Sequence, residues 1–179
     1  MSNVNRMPEL DEPVTVVEHC AEWTSQASVE AARIVKALHL MRGAVEHIGS
    51  TAVAELPAKP VLDLMLGVPA YPPAASLQPS LIRLGYEALG EAGFNGRLYF
   101  RSRRDASFNV HVVFRGGEHW RNNIALRQYL RRSSAARQRY AAAKIVAQSS
   151  ASMLLAYSEA KAPVVAALLQ EALANENAG

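Results

Sequence analysis

A Gly-Ser pair, an isolated aspartate, a strand histidine and a row of arginines are the residues whose types and spacing could do chemistry here. Gly49-Ser50 follows a short apolar run, residues 44–48, and is itself followed by Thr51. Small residues after a strand let backbone N–H groups approach an anion, and the two hydroxyls add donors. Such a turn can hold phosphates, although most Gly-Ser pairs are plain turns. Asp63 lies inside a second apolar run, residues 61–68. A carboxylate in an apolar strand needs a hydrogen bond, a cation or a metal. As a metal ligand it would suit Mg²⁺, a hard ion that takes oxygen donors and lets substrate phosphates complete its shell. The plain alternative is an Asp bonded to a turn or paired with an Arg. Met65 occupies the position where a second acid would share the face of Asp63.

His111 stands in an alternating segment whose other face is Phe108, Val110, Val112 and Phe114. It could serve as a general base, a phosphate donor or a metal ligand, or be structural. Alternation also puts Arg97, Tyr99, Arg101 and Arg103 on one side of a strand. Three guanidinium groups on one face repel each other unless anions lie among them, and Arg grips phosphate with a planar fork. Lys59, held between Pro57 and Pro60, is a similar candidate. Tyr157 and Lys161 are one helical turn apart, so both could reach a substrate or pack at the surface.

The chain of 179 residues suffices for one domain with a real core. Hydrophobic residues make up 50% and charged residues 20%, as in an ordinary globular protein. No apolar run approaches the roughly 20 residues that span a bilayer. The first 13 residues are polar and acidic, without an apolar signal core. One cysteine, Cys20, excludes an intramolecular disulfide and a Cys-rich zinc site. These features predict a cytoplasmic protein. The net charge is only +3, yet twelve basic residues lie between Arg97 and Lys144, opposed by Asp105 and Glu118. That concentration suits a polyanion. For residues 131–144 the expectation is solvated helix faces.

Periodicity then supplies the elements that must position these groups. Residues 1–13 read as a flexible arm, and residues 14–179 as a single domain. A strand could open at residues 14–17. Helical spacing covers residues 22–40, strands cover 44–48 and 61–68, and one helical turn is expected within 51–56. A helix over 74–84, a brief strand over 85–89 and strands over 97–103 and 108–114 follow. Helices are predicted over 120–132, 135–148 and 151–174, with a kink or restart at Pro163. This order implies an α+β domain with a mixed sheet.

The run from Val45 to Val53, with Ala58-Lys59-Pro60 and Asp63, resembles the GrpB family, which also occurs fused to some dephospho-coenzyme A kinases. The resemblance continues through Gly85-Tyr86, Gly90-Glu91-Ala92-Gly93, Gly96-Arg97, Tyr99-Phe100-Arg101 and His111-Val112-Val113. It extends into Trp120, Arg127 to Leu130, Tyr140, Lys144 and Tyr157 to Lys161. It implies a nucleotidyltransferase-like fold, a small mixed sheet flanked by helices with a helical C-terminal part. In that superfamily the Gly-Ser turn precedes a strand with two acids one residue apart, and a later strand adds a third. This chain has Met65 for the second acid and His111 where the third is expected.

The resulting expectation is a nucleotidyltransferase-like enzyme using a nucleoside triphosphate or related phosphorylated small molecule with Mg²⁺. Gly49, Ser50 and Thr51 would hold phosphates, and Asp63 would bind the metal. His111 would assist as base or ligand, and Arg97 and Arg101 would neutralise developing charge. Lys59, Glu91, Tyr157 and Lys161 complete the substrate-binding set. The alternatives are a non-catalytic nucleotide- or anion-binding module with a degenerate acid set, and an RNA-associated basic protein.

Overall fold

Alternating and helical apolar patterns resolve into five strands and five α-helices in the computed structural model, which describes residues 11–177. Helix α1 spans Glu22–Ala37, strand β1 Val45–Ile48, and a single 3-10 turn Ser50–Ala52. Strand β2 is Val61–Val68, helix α2 Leu77–Arg83, β3 Glu87–Ala88, β4 Arg97–Arg103 and β5 Ser107–Phe114. Three helices follow: α3 Glu118–Arg132, α4 Ser134–Ser150 and α5 Leu154–Asn177. The strands form one mixed sheet in the order β1-β2-β5-β4-β3, with β2 and β5 parallel and the other pairs antiparallel. This is the α+β architecture with a mixed sheet that the element order implies.

The period of two in β2 and β5 divides the sheet into two unlike faces. One face presents Leu62, Leu64, Leu66, Phe108, Val110 and Val112, all buried, to Trp23, Ala27 and Ile34 of α1 and Leu77 and Leu81 of α2. The other carries the polar rows. Ile48, Asp63, Asn109 and Arg101 are register partners in one row, and Glu46, Met65, His111 and Tyr99 in the next. The C-terminal helices cover this second face. Trp120 and Ile124 of α3 pack on Ile48, Met65 and Val113. Gly67 leaves space for that packing, because a Cβ there would stand 2.5 Å from the Trp120 ring. A further cluster joins Val53 and Leu56 to Leu130, Tyr140 and Leu168.

Three expectations change. Residues 14–17 do not form a strand; backbone pairing is limited to isolated bridges, Pro13 with Met153 and Val17 with Ala58. The expected arm lies mostly outside the described residues, but its last part is tied down. Leu154 N donates to the Glu12 carbonyl at 2.8 Å, and Leu155 N to Asp11 Oδ1 at 2.9 Å. Finally, α5 runs through Pro163 without restarting. Among the described residues no helix is long and apolar enough to cross a membrane.

Candidate functional site

Between the polar face of the sheet and helices α4 and α5 lies an open cavity of about 580 Å³. Gly49, Ser50, Thr51, Lys59, Asp63, Arg97, His111, Tyr157 and Lys161 all line it. Asn109, Tyr99, Phe94, Tyr140 and Lys144 join them.

Asp63 is the centre of a short polar chain. Its side chain is 22% exposed, and its Oδ1 accepts from Asn109 Nδ2 at 2.7 Å and faces His111 Nε2 at 3.2 Å. Arg103 donates to the Asn109 carboxamide oxygen at 2.9 Å and to Glu12 Oε1 at 2.7 Å. On the other side, His111 Nδ1 lies 3.5 Å from Arg97 Nη1. Nε2 can donate to the carboxylate while the other ring nitrogen faces the guanidinium. His111 thereby orients Asp63. Burial by itself raises the Asp63 pKa. The hydrogen bond from His111, the charges of Lys59 and His111 and the Asn109 amide outweigh it, so the carboxyl is held well below its ordinary range.

The turn before β2 approaches this carboxylate closely. Gly49 has φ +71, and a Cβ on it would lie 2.8 Å from Asp63 Oδ2. Only glycine meets both demands without strain. His47 Nε2 and Thr51 Oγ1 are 2.9 Å apart. Burial, with the charges of Arg131, Arg127 and His19, lowers the His47 pKa to about 4 against the opposing pull of Asp63, so the ring is neutral at pH 7 and braces the turn. Arg131 holds the Ala52 carbonyl at 2.8 Å, and Arg127 holds the His47 carbonyl at 2.6 Å and Glu46 at 2.8 Å. Helix α3 therefore fixes the turn's far side.

Four cationic side chains reach the cavity: Lys59, Arg97, Lys144 and Lys161. None is paired directly with a carboxylate among the described residues. Burial lowers the pKa of Lys59 and of Arg97, each partly offset by Asp63. Lys144 is 2% exposed and donates to the Pro57 carbonyl at 2.6 Å. Its pKa is lowered to about 7 by burial and by Lys161, against the pull of Asp63. The Lys144 ammonium lies 4.4 Å from the Tyr140 ring centroid, and Lys161 lies 5.5 Å from that of Tyr157. Such contacts hold cations without neutralising them.

Two expected ligand contacts lie elsewhere. Arg101 does not line the cavity; it bonds to Glu87 at 2.9 Å and approaches Glu12 at 3.9 Å. Glu91 accepts from Gly96 N at 3.1 Å and from the Tyr71 hydroxyl at 3.2 Å, so it shapes a loop instead. Internal carboxylates, Glu12 and Glu87, thus supply the anions that the Arg101 and Arg103 row requires. The expectation of solvated faces over residues 131–144 fails for Lys144. Its signal was present in the helical spacing: Ala136, Tyr140, Lys144 and Ala147 form the buried stripe of α4. Asn109 was legible as the residue sharing the His111 face two positions earlier.

Magnesium has a narrow opening in this donor set. Among the described residues no group of three His, Cys, Asp or Glu side chains could hold a metal. Met65 is fully buried where a second acid would stand. Asp63 Oδ1 takes the Asn109 and His111 contacts, leaving Oδ2 as the carboxylate oxygen without a hydrogen bond among the described residues. The residues do not fit a metal held by the protein alone.

Comparison with known proteins places these features in context. The family model described as GrpB protein matches residues 13–171. A UPF0157 protein of Halalkalibacterium halodurans is 29% identical over 161 residues, covering 89% of this chain and 82% of that one. A UPF0157 protein of Deinococcus radiodurans is 33% identical over 135 residues, covering 75% of this chain and 70% of the relative. The crystal structure of the conserved protein GrpB from Enterococcus faecalis superimposes with a TM-score of 0.79 at 31% identity, covering 90% of this chain and 99% of that one.

Proposed function

The chain belongs to the GrpB family, and from its cavity we infer that it binds a phosphorylated small molecule of nucleotide size. One observation carries this reading: four cationic side chains line a cavity whose single carboxylate among the described residues is Asp63. An anion entering there gains Coulomb energy from each cation in a partly desolvated setting, where such attraction exceeds its value in water. The Gly49–Ser50–Thr51 turn adds hydroxyl and backbone donors. A volume of about 580 Å³ falls within the range of small-molecule pockets.

Magnesium-assisted nucleotidyl transfer is the second reading. It is favoured by the ionised Asp63, whose Oδ2 borders the Gly49 turn where phosphates would lie. In that reading Asp63 would hold the ion, which would supply neutralisation of phosphate charge, and His111 keeps the carboxylate aimed. The buried Met65 weighs against two-metal chemistry and for binding. A nucleic-acid partner is less favoured, since Arg127, Arg131, Arg137 and Arg139 bond within the chain. A cytoplasmic setting, rich in phosphorylated metabolites, completes the reading.

Calorimetry with ATP and with inorganic triphosphate, each with and without Mg²⁺, tests it. Saturable one-site binding that weakens with salt supports the reading; absence of binding by both ligands rejects it. An Asp63→Asn variant separates the two forms. Retained binding independent of Mg²⁺ supports a binding module, and loss of a Mg²⁺-dependent turnover supports transfer.

A further inference from the structure

The loop over residues 90–96 presents an aromatic ring to the cavity that the phosphate reading leaves unused. Phe94 lines the cavity yet is 55% exposed. An exposed phenylalanine alone means little, since single surface hydrophobics are common. Here the loop is built to hold it. Gly96 N donates to Glu91 Oε1 at 3.1 Å, Phe94 N to the Glu91 carbonyl at 3.1 Å, and Tyr99 N to the Gly90 carbonyl at 2.7 Å. Arg97 Nη2 donates to the carbonyls of Glu91 at 3.1 Å and Ala92 at 3.0 Å. His119 of α3 holds the Asn95 carbonyl at 3.2 Å and sets its ring edge-on to Phe94.

The ring therefore has a fixed environment with one supported side. The Arg97 guanidinium stands 4.5 Å from its centroid, and the same guanidinium stands 5.0 Å from that of Tyr99. The Glu91 and Ala92 carbonyls hold this guanidinium in place independently of the Phe94 ring. More than half of Phe94 stays open beside a cavity lined by Lys59 and Lys161. Aromatic rings presented beside cationic grooves bind planar bases, and tolerate any base because each has a π-face.

We propose that Phe94 is the platform on which the planar base of a nucleotide stacks, with that nucleotide's phosphates held among the cavity cations. This rests on the phosphate-binding reading and names its ligand as a nucleotide rather than a phosphorylated sugar or acid. Glu91 acts as a positioning residue for the platform and does not itself line the cavity.

The experiment compares ATP, CTP and inorganic triphosphate by calorimetry on the full chain, as wild type, Phe94→Ala and Phe94→Tyr. Wild type binds both nucleotides about ten-fold tighter than triphosphate, the order of one base–aromatic stack. Phe94→Ala brings the nucleotides to the triphosphate affinity and leaves triphosphate binding unchanged. Phe94→Tyr keeps the difference. Equal affinity for nucleotides and triphosphate in wild type, or an undiminished difference in Phe94→Ala, overturns the platform while leaving the phosphate site standing. Failure of all three ligands to bind overturns both. Unchanged circular dichroism and thermal midpoint show that the variants are folded.

Discussion

Asn109 donates its side-chain amide to Asp63 Oδ1 over 2.7 Å, across the parallel pairing of β5 with β2. That bond, with His111 on the same oxygen, makes an ionised carboxylate tolerable in the middle of a sheet. It also fixes which oxygen faces the Gly49 turn.

The first prediction concerns acid stability. The folded Asp63 pKa lies below its ordinary value of 3.8. Its ionised form is therefore favoured by folding. The contribution is complete above about pH 4 and is lost as pH falls through the lower folded value. Urea unfolding of wild type and Asp63→Asn should differ above pH 4, and the difference should shrink steadily as pH falls below 4. A difference that persists unchanged at pH 2 contradicts the assignment.

Gly49→Ala should be harmful out of proportion to one methyl group. The added Cβ meets Asp63 Oδ2 at 2.8 Å, and φ +71 strains any L-residue. A loss of about 2 kcal/mol or more is expected from the combined strain. Denaturant midpoints give the stability, and triphosphate affinity should fall with it. A stability change under about 0.5 kcal/mol, the scale of ordinary surface substitutions, counts against the close approach.

Lys144 should couple ligand binding to protons. Burial and Lys161 depress its pKa to about 7, so part of the population is neutral near pH 7.5. An anion in the cavity favours the charged amine, and binding takes up protons. Calorimetry of triphosphate in buffers of different ionisation enthalpy should show uptake near pH 7.5, with affinity falling as pH rises further. Stability alone moves in the opposite sense. The charged amine is disfavoured by folding, so wild type gains relative to Lys144→Met as pH rises from 7 toward 10.5. Proton uptake unchanged in Lys144→Met assigns it to another group.

Arg97 and Arg101 alternate on the same strand face but should behave differently. Arg97 faces the cavity without a direct carboxylate partner among the described residues, whereas Arg101 bonds to Glu87. Arg97→Gln should weaken triphosphate binding about ten-fold or more, as expected when a hydrogen bond to a charged group worth about 1.5 kcal/mol or more is lost. Arg101→Gln should leave binding within two-fold and lower only the thermal midpoint. Equal effects on binding would show that the cavity extends over both.

The sequence by itself determined the strands, helices and face assignments that depend on local periodicity. The β2 and β4 limits, the apolar back face of β5 and the placing of Asp63, His111 and the arginines on the opposite face all follow from a period of two. It also fixed the absence of an acid at Met65. Tertiary structure decided which charges are free. Arg101 and Arg103 are neutralised by Glu12 and Glu87, residues far away in sequence. Lys144 enters the cavity because α4 folds back over the sheet, and Phe94 reaches its rim because Glu91 and Arg97 close the loop beneath it. Local patterns show which way a side chain points; the partner it meets depends on long-range packing, which no window of sequence contains.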